Sequence, residues 1–126
     1  MRLRCLIVDD NTAFIAAAKS VLSGPDFDVV GEATTAGEAL RQFRAVAPEV
    51  VLVDVDLGEE SGFALAHRLA EADGADHSRL VLVSAHPEHE FANLIAESPA
   101  VGFLAKSELS PASLSELLNG GGPRPH

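Results

Sequence analysis

Several residue types that build common functional sites are scarce in this chain. Cys5 is its only cysteine, so neither an internal disulfide nor a multi-cysteine metal site can form. Nine lysine and arginine residues face nineteen aspartate and glutamate residues, which gives a formal net charge of −10. This balance argues against a protein that binds nucleic acid by neutralising phosphates, and equally against a polybasic binder of membrane surfaces.

Long apolar runs and the usual nucleotide-binding loops are also absent. No apolar segment approaches the roughly 18–20 residues that a membrane helix needs. Asp9 and Asp10 stop the first apolar stretch too early for a signal peptide. No glycine-rich phosphate loop, dinucleotide fingerprint or nucleophile elbow is present. We therefore expect a cytoplasmic protein that binds neither membranes nor nucleic acid directly.

The residues that are present suit one globular domain. A length of 126 residues leaves room for one domain of roughly 100–200 residues. Hydrophobic residues make up 47% and charged residues 22%, which are ordinary values for a soluble domain. The domain is predicted over residues 1–119. Residues 120–126, rich in glycine and proline, are predicted to be either a flexible tail or a truncated linker.

Short apolar runs alternate with segments of helical spacing along the chain. The runs predicted as strands are residues 3–8, 29–33, 50–53, 80–83 and 101–104. Five βα repeats in a row predict an α/β fold with helices on both faces of a parallel sheet. The right-handed crossovers of such repeats favour a flavodoxin-like, doubly wound sheet with the strand order 2-1-3-4-5.

The helical segments differ in how clearly they are patterned. The first is predicted to bury a stripe of Phe14, Ala17, Val21 and Leu22. The fourth is the least regular, because polar residues at positions 89, 90 and 93 dilute its apolar face.

Polar residues follow the predicted strands at a single edge of the sheet. In an open parallel sheet, ligands bind outside the carboxyl ends of the strands, where the strand order reverses. The residues at these ends are Asp9, Asp10, Asp54, Ser84 and Lys106. Each alone has an ordinary explanation as a helix cap, a loop opener or a surface group. Their joint placement at one edge predicts a functional site.

The residue types at this edge suit phosphoryl transfer. Carboxylates packed together repel one another, and their hard oxygen atoms favour Mg²⁺, which binds one or two carboxylates and a phosphate oxygen. A carboxylate aimed at that ion can attack phosphorus and form an aspartyl phosphate. The metal, Lys106 and the Ser84 hydroxyl can together neutralise the charge on the equatorial phosphoryl oxygens.

Four segments of the chain resemble the receiver domain of two-component response regulators. They are residues 7–11, 51–54, 83–85 and 102–107, and the resemblance covers Leu3 to about Leu118. It implies that Asp54 is the phosphoacceptor and that Lys106 binds the phosphoryl group. It also implies that Mg²⁺ is held by Asp9, Asp10, Asp54 and the backbone carbonyl of Asp56.

The same resemblance assigns switch and tuning residues. Ser84 and Phe103 fall at the two switch positions, and Asp56 and His86 fall where receiver domains tune the access of the hydrolytic water. The sequence departs from the family pattern at three places. Phe103 offers no tyrosine hydroxyl, Ser107 replaces the usual proline after the lysine, and residues 55–62 lack the usual Met-Pro.

The implied function is a phosphorylation-controlled switch in a two-component phosphorelay. A sensor histidine kinase would phosphorylate Asp54, after which Ser84 would move and Phe103 would pack inward. The surface formed by helix four, strand five and helix five would then change its affinity for a partner. That partner would be a separate protein, a fused output domain outside this chain, or a second copy of the chain. The domain would catalyse its own phosphorylation and slow hydrolysis without being a metabolic enzyme.

Two alternatives remain open at the level of the sequence. Asp54 and Asp56 form a D-x-D pair, which haloacid-dehalogenase-like phosphatases use as nucleophile and acid–base. The acidic pair precedes it here, and the chain leaves no length for a cap domain. The second alternative is a pseudo-receiver that binds a partner without being phosphorylated.

Overall fold

The computed structural model describes residues 2–72 and 75–120 and contains a five-stranded parallel sheet. Its strands are β1 Leu3–Val8, β2 Phe27–Ala33, β3 Val50–Asp54, β4 Arg79–Ser84 and β5 Gly102–Ala105. The strands lie in the order β2-β1-β3-β4-β5, and every neighbouring pair is parallel. The predicted flavodoxin-like α/β fold and its strand order are therefore confirmed.

Five α-helices connect or follow these strands. They are α1 Thr12–Leu22, α2 Ala36–Val46, α3 Gly62–Ala70, α4 Ala92–Glu97 and α5 Pro111–Gly120. The first three begin at the side-chain caps Asn11, Thr35 and Ser61, each of which accepts backbone N–H groups of the first turn. Helix α5 extends one residue into the predicted tail, and residues 121–126 of that tail lie outside the described residues.

The apolar side chains form two layers, one on each face of the sheet. Along β1, Leu6 and Val8 face α2 and α3, whereas Cys5 and Ile7 face α1 and α5, because successive strand residues point to opposite faces. All five residues of β3 are buried, as expected for a central strand covered on both sides. The doubly wound architecture predicted from the βα repeats thus has two cores.

The predicted buried stripe of α1 is confirmed at Leu22 and in part at Phe14, but it is wrong at Ala17 and Val21. Ile15, Ala18 and Leu22 are buried, whereas Ala17 is exposed and Val21 is 43% exposed. The helix is rich in alanine, so small apolar residues occupy several of its faces. Periodicity alone therefore could not select the face that meets the sheet.

Helix α4 is shorter than its four counterparts. A 3₁₀ turn, Glu88–Phe91, precedes it, and none of its six residues is buried. Phe91 and Ile95 are only partly buried against the sheet. The polar residues that made this helix the least regular in the sequence leave it without a continuous apolar face.

The register of the sheet brings the predicted site residues to one edge. The last residue of β1 pairs with Val53, so Asp9 and Asp54, the next residues, lie side by side. The last residue of β4, Ser84, pairs with the last residue of β5, and Lys106 follows directly. No helix within the described ranges is long and apolar enough to cross a membrane.

Candidate functional site

Asp9 lies directly after β1 and is fully buried. Its backbone N–H donates to the carbonyl oxygen of Ala33 at 3.0 Å, which ties it to the end of β2. Its Oδ1 accepts a hydrogen bond from the backbone N–H of Asn11 at 2.8 Å. The carboxylate is therefore fixed in orientation by the loop that leads into α1.

Asp54 is the last residue of β3 and is also buried. Its Oδ1 accepts the backbone N–H of Asp56 at 3.1 Å, and its Oδ2 lies 3.2 Å from the Nζ atom of Lys106. One oxygen thus meets a backbone amide and the other meets an ammonium group. Both interactions favour the ionised carboxylate.

Lys106 joins the two buried carboxylates. Its Nζ atom lies 2.6 Å from Asp9 Oδ2 and 3.2 Å from Asp54 Oδ2, and its side chain is only 16% exposed. Burial lowers the pKa of Lys106, but its contact with Asp9 and the charge of Asp54 outweigh that effect and raise the pKa. The ammonium therefore stays charged at neutral pH.

Phe14, which is not among the predicted site residues, also contacts this lysine. The Lys106 Nζ atom lies 4.5 Å from the centre of the Phe14 ring. The two residues are far apart in the sequence, and the periodicity of α1 indicates only that Phe14 is apolar. No local pattern could have paired them.

The acidic residues form a cluster that could hold a metal ion. Asp9, Asp10 and Asp54 each offer a carboxylate oxygen, and these oxygens lie within 4.8 Å of one another. Asp9 Oδ2 is buried and faces the Lys106 ammonium at 2.6 Å. Three carboxylates around one ammonium leave an excess of negative charge, and such hard oxygen ligands fit a divalent cation such as Mg²⁺.

The environment of Asp54 works against its ionisation in the absence of a further cation. The pKa of Asp54 is raised to about 6, chiefly because the carboxyl group is buried. The charge of Asp9 adds to this rise, whereas the backbone N–H of Asp56 and the Lys106 ammonium oppose it. A divalent cation beside the carboxyl group would favour the ionised, nucleophilic form.

A short hairpin closes the loop after Asp54. Its two-residue strands, Asp56–Leu57 and Glu60–Ser61, pair in antiparallel fashion. Gly58 at its turn has a φ of +75°, and a Cβ atom there would lie 3.1 Å from Asp10 Oδ2. The backbone of this loop, which lacks the usual Met-Pro, therefore pairs with itself and lies against Asp10.

The two residues predicted as switch positions, Ser84 and Phe103, are both buried. Ser84 Oγ accepts the backbone N–H of His86 at 2.9 Å. Phe103 is 9% exposed, and its ring centre lies 6.5 Å from that of Phe91. Phe103 is therefore packed inward in this structure.

The two tuning candidates line one cleft beside the site. Asp56 and His86 are exposed and share a cleft of about 540 Å³ with Glu59, Glu90 and Phe91, among other residues. The Asp56 side chain accepts the backbone N–H of Gly58 at 3.1 Å and does not belong to the three-carboxylate cluster. The peptide bond between Lys106 and Ser107 is trans.

A family model and curated relatives match this chain. The model described as the response regulator receiver domain matches residues 5–119. The transcriptional activator EvgA of Escherichia coli K12, described as DNA-binding, is 27% identical over 106 residues, covering 84% of this chain and 51% of EvgA. The chemotaxis protein CheY of Thermotoga maritima is 25% identical over 119 residues, covering 94% of this chain and 97% of CheY. The chain thus spans about half the length of EvgA and nearly all of this CheY.

Solved structures of similar fold agree with these matches. The signal receiver domain of the response regulator NarL from Mycobacterium tuberculosis has a TM-score of 0.79 at 26% identity, covering 98% of both chains. A LuxR-family two-component response regulator from Aurantimonas has a TM-score of 0.78 at 28% identity, covering 94% of this chain and 84% of the other.

Proposed function

This chain belongs to the response regulator receiver domain family, and on that premise we propose that it is a phosphorylation-controlled switch with Asp54 as its phosphoacceptor. One observation carries the proposal: a buried, partly neutralised carboxylate at the end of β3 shares a lysine with a second carboxylate. Such a group is preorganised to gain a phosphoryl group, because the ammonium that now faces it can face the added oxygens instead.

The reaction is a transfer from a phosphohistidine of a sensor histidine kinase. A carboxylate oxygen of Asp54 forms a bond to phosphorus while the bond from phosphorus to the histidine nitrogen breaks. The imidazole leaves with the electron pair of that bond, and a proton from water completes it. Asp9, Asp10, Asp54 and the backbone carbonyl of Asp56 would hold Mg²⁺, which would supply positive charge to the phosphoryl oxygens.

Lys106 and Ser84 complete the binding of the phosphoryl group. The Lys106 ammonium lies 3.2 Å from Asp54 and exchanges this contact for one with a phosphoryl oxygen. The Ser84 hydroxyl accepts the His86 backbone N–H in this structure and can turn to donate to another phosphoryl oxygen. The loop between β4 and the 3₁₀ turn then loses this hydrogen bond.

The surface formed by α4, β5 and α5 changes its affinity for a partner when Ser84 turns toward the phosphoryl group. The ring of Phe91 contacts Phe103 on β5 and lies edge-on to His86. A shift at Ser84 therefore has a packed route to the start of α4, and two arrangements of this segment would differ in partner affinity. The partner is a separate protein, an output domain in the same polypeptide or a second copy of this chain.

Asp56 and His86 set the lifetime of the phosphorylated state. Both line a cleft that also includes Val55, the residue after Asp54, and a hydrolytic water would reach the phosphorus atom through this cleft. The domain thus performs its own slow hydrolysis, and it turns over no metabolic substrate.

Phosphorylation with a small donor tests the proposed function. The full chain is incubated with phosphoramidate and Mg²⁺, and its intact mass is followed. We expect one phosphoryl group per chain, none on Asp54→Asn, and normal labelling of Asp26→Asn, whose exposed carboxylate lies outside the site.

Two outcomes of the same experiment would contradict this function. A wild-type chain that takes up no phosphoryl group, and that also fails to bind beryllofluoride with Mg²⁺, is a pseudo-receiver. Sustained, metal-dependent hydrolysis of an aryl phosphate would instead indicate the D-x-D phosphatase chemistry of Asp54 and Asp56.

A further inference from the structure

The aromatic ring of Phe14 lies beside the ammonium group of the site lysine. Phe14 is half-buried in the first turn of α1, and its ring centre lies 4.5 Å from Lys106 Nζ. Asn11 fixes this position, because its Oδ1 accepts the backbone N–H of Phe14 at 3.2 Å. The backbone N–H of Asn11 meanwhile donates to Asp9. One residue therefore positions both the buried carboxylate and the ring.

The distance and the environment make this contact attractive. An ammonium group within about 6 Å of a ring centre is attracted by the negative face of the ring, more strongly when water is excluded. The Lys106 side chain is only 16% exposed. Lys106 is therefore held from three directions, by Asp9, by Asp54 and by the ring.

Of these three partners, the ring is unaffected by the reaction. When Asp54 becomes an acyl phosphate, its own carboxylate charge is lost to the new bond, and the negative charge moves to the phosphoryl oxygens. Asp9 would also share its charge with a bound cation. The ring neither titrates nor coordinates hard cations, so its attraction for the ammonium is the same before and after phosphorylation.

We propose that Phe14 is a positioning residue that holds the Lys106 ammonium in place for the phosphoryl group. This inference rests on the proposed function of Asp54. It goes beyond it in assigning the orientation of the lysine to a residue of α1 that is not one of the three clustered carboxylates.

A purely structural role for Phe14 makes a different prediction. Phe14 packs at the margin of the apolar layer formed by α1, α5 and one face of the sheet. Leucine in its place keeps an apolar side chain there but removes the ring face. Phe14→Leu therefore separates packing from attraction of the ammonium, and Phe14→Trp, which retains a ring face, is the matched rescue variant.

The lysine content of the chain allows a direct test of position. Lys19 and Lys106 are the only lysines, so isotope-labelled lysine gives two sets of side-chain NMR signals. We expect the methylene next to the Lys106 ammonium to be shifted upfield by the Phe14 ring, and this shift to be lost in Phe14→Leu and kept in Phe14→Trp. Lys19, which pairs with Glu32 at 2.9 Å, is the internal control and stays unchanged. A Lys106 signal that is the same in wild type and Phe14→Leu would overturn the inference.

Ligand binding gives a second readout that a packing defect would not reproduce. Beryllofluoride with Mg²⁺ serves as the phosphoryl probe, detected by ¹⁹F NMR, and Mg²⁺ alone as the cation probe. Loss of a partly desolvated cation–π contact predicts about three- to tenfold weaker beryllofluoride binding by Phe14→Leu. Phe14→Trp should restore binding, and Mg²⁺ affinity should change less than about twofold, since the three carboxylates remain.

The outcomes separate the two claims. A wild-type chain that fails to bind beryllofluoride contradicts the proposed function, and the role of Phe14 with it. A wild-type chain that binds, together with a Phe14→Leu variant that binds equally well, contradicts only the role of Phe14. Equal losses of beryllofluoride and Mg²⁺ affinity in Phe14→Leu would also overturn it, because they would indicate general damage to the site.

Discussion

The acidic edge of the sheet and the α4 segment differ in how firmly the chain holds them. At the edge, Asp9 and Asp54 are buried, and each is fixed by a backbone N–H and by Lys106. In the α4 segment, neither the 3₁₀ turn nor the helix has a side-chain cap, and Leu94 is 49% exposed. The acidic edge is therefore held rigidly by these contacts, whereas the α4 segment is held only lightly.

This difference suits a switch. Preorganised groups bind a phosphoryl group without the cost of rearranging at the moment of transfer. A lightly packed segment lies at the low end of local stability, so a small change in free energy can move it between arrangements. Ser84 and His86 stand between the two regions and join them by one hydrogen bond.

The largest expected effect is on the free energy of unfolding, which should respond differently to truncations in α3 and in α4. Leu69 is fully buried on α3, so Leu69→Ala should lower the free energy of unfolding by about 2–5 kcal/mol. Leu94→Ala on α4 should change it by less than about 0.5 kcal/mol. Urea denaturation of both variants measures the contrast, and similar losses would contradict the description of α4 as lightly held.

The pH dependence of stability tests the burial of Asp54. Its pKa is raised to about 6 in the folded chain, above its ordinary value, so the folded state favours the protonated form. The stability that this provides is complete at low pH and is lost as the pH rises through about 6. Relative to Asp54→Asn, the metal-free wild type should lose roughly 2–3 kcal/mol between about pH 4 and 7. Parallel pH profiles of the two proteins would show that Asp54 is not held as described.

Removal of the shared ammonium should destabilise the rigid edge specifically. Lys106→Met leaves Asp9 and Asp54 buried without their cation, and we expect a loss of about 2 kcal/mol at neutral pH in the absence of metal. Added Mg²⁺ should restore part of this loss, because it can take the place of the ammonium charge. Lys19→Met, at an exposed ion pair, is the control and should cost about 0–1 kcal/mol. Equal losses in the two variants would argue against a shared buried charge.

The smallest expected effect is on the barrier to hydrolysis of the phosphorylated state, and it concerns Asp56 in the cleft next to the site. Asp56→Asn keeps the size of an exposed side chain but removes its charge beside the phosphoacceptor. We expect the lifetime of phosphorylated Asp54 to change by about three- to tenfold, equivalent to about 1 kcal/mol in the barrier to hydrolysis. Decay of the phosphorylated species, followed by mass, gives this rate. An unchanged rate would remove Asp56 from the residues that tune it.

The sequence predicts most of the fold because its central strands are unambiguous. The strand that leads to Asp54 is an unbroken apolar run, and its end can be located to within one residue. The edge strand β2 begins at Phe27, two residues before the predicted start. The prediction missed these residues because Asp28, at a half-exposed position, interrupts the apolar pattern. The hairpin after Asp54 has strands of only two residues, which are too short to show a period.

Some contacts of the site could likewise be predicted from the sequence, and others could not. Asp9, Asp54 and Lys106 could be predicted to lie close together because each lies at or directly after the end of a strand, and parallel strand ends converge at one edge. The contact of Lys106 with Phe14 could not, because it depends on how α1 is rotated, and the alanine-rich sequence of that helix leaves its rotation undetermined. The inward position of Phe103 likewise depends on tertiary packing against Phe91.

Amide hydrogen exchange with and without beryllofluoride and Mg²⁺ tests most directly whether the rigid edge controls the lightly held segment. We expect exchange to change in residues 84–105, which include the turn before α4, α4 itself and β5, and to stay the same in α2. Asp54→Ala should show no response. A response of equal size throughout the chain, none in α4, or one that persists in Asp54→Ala would contradict the account.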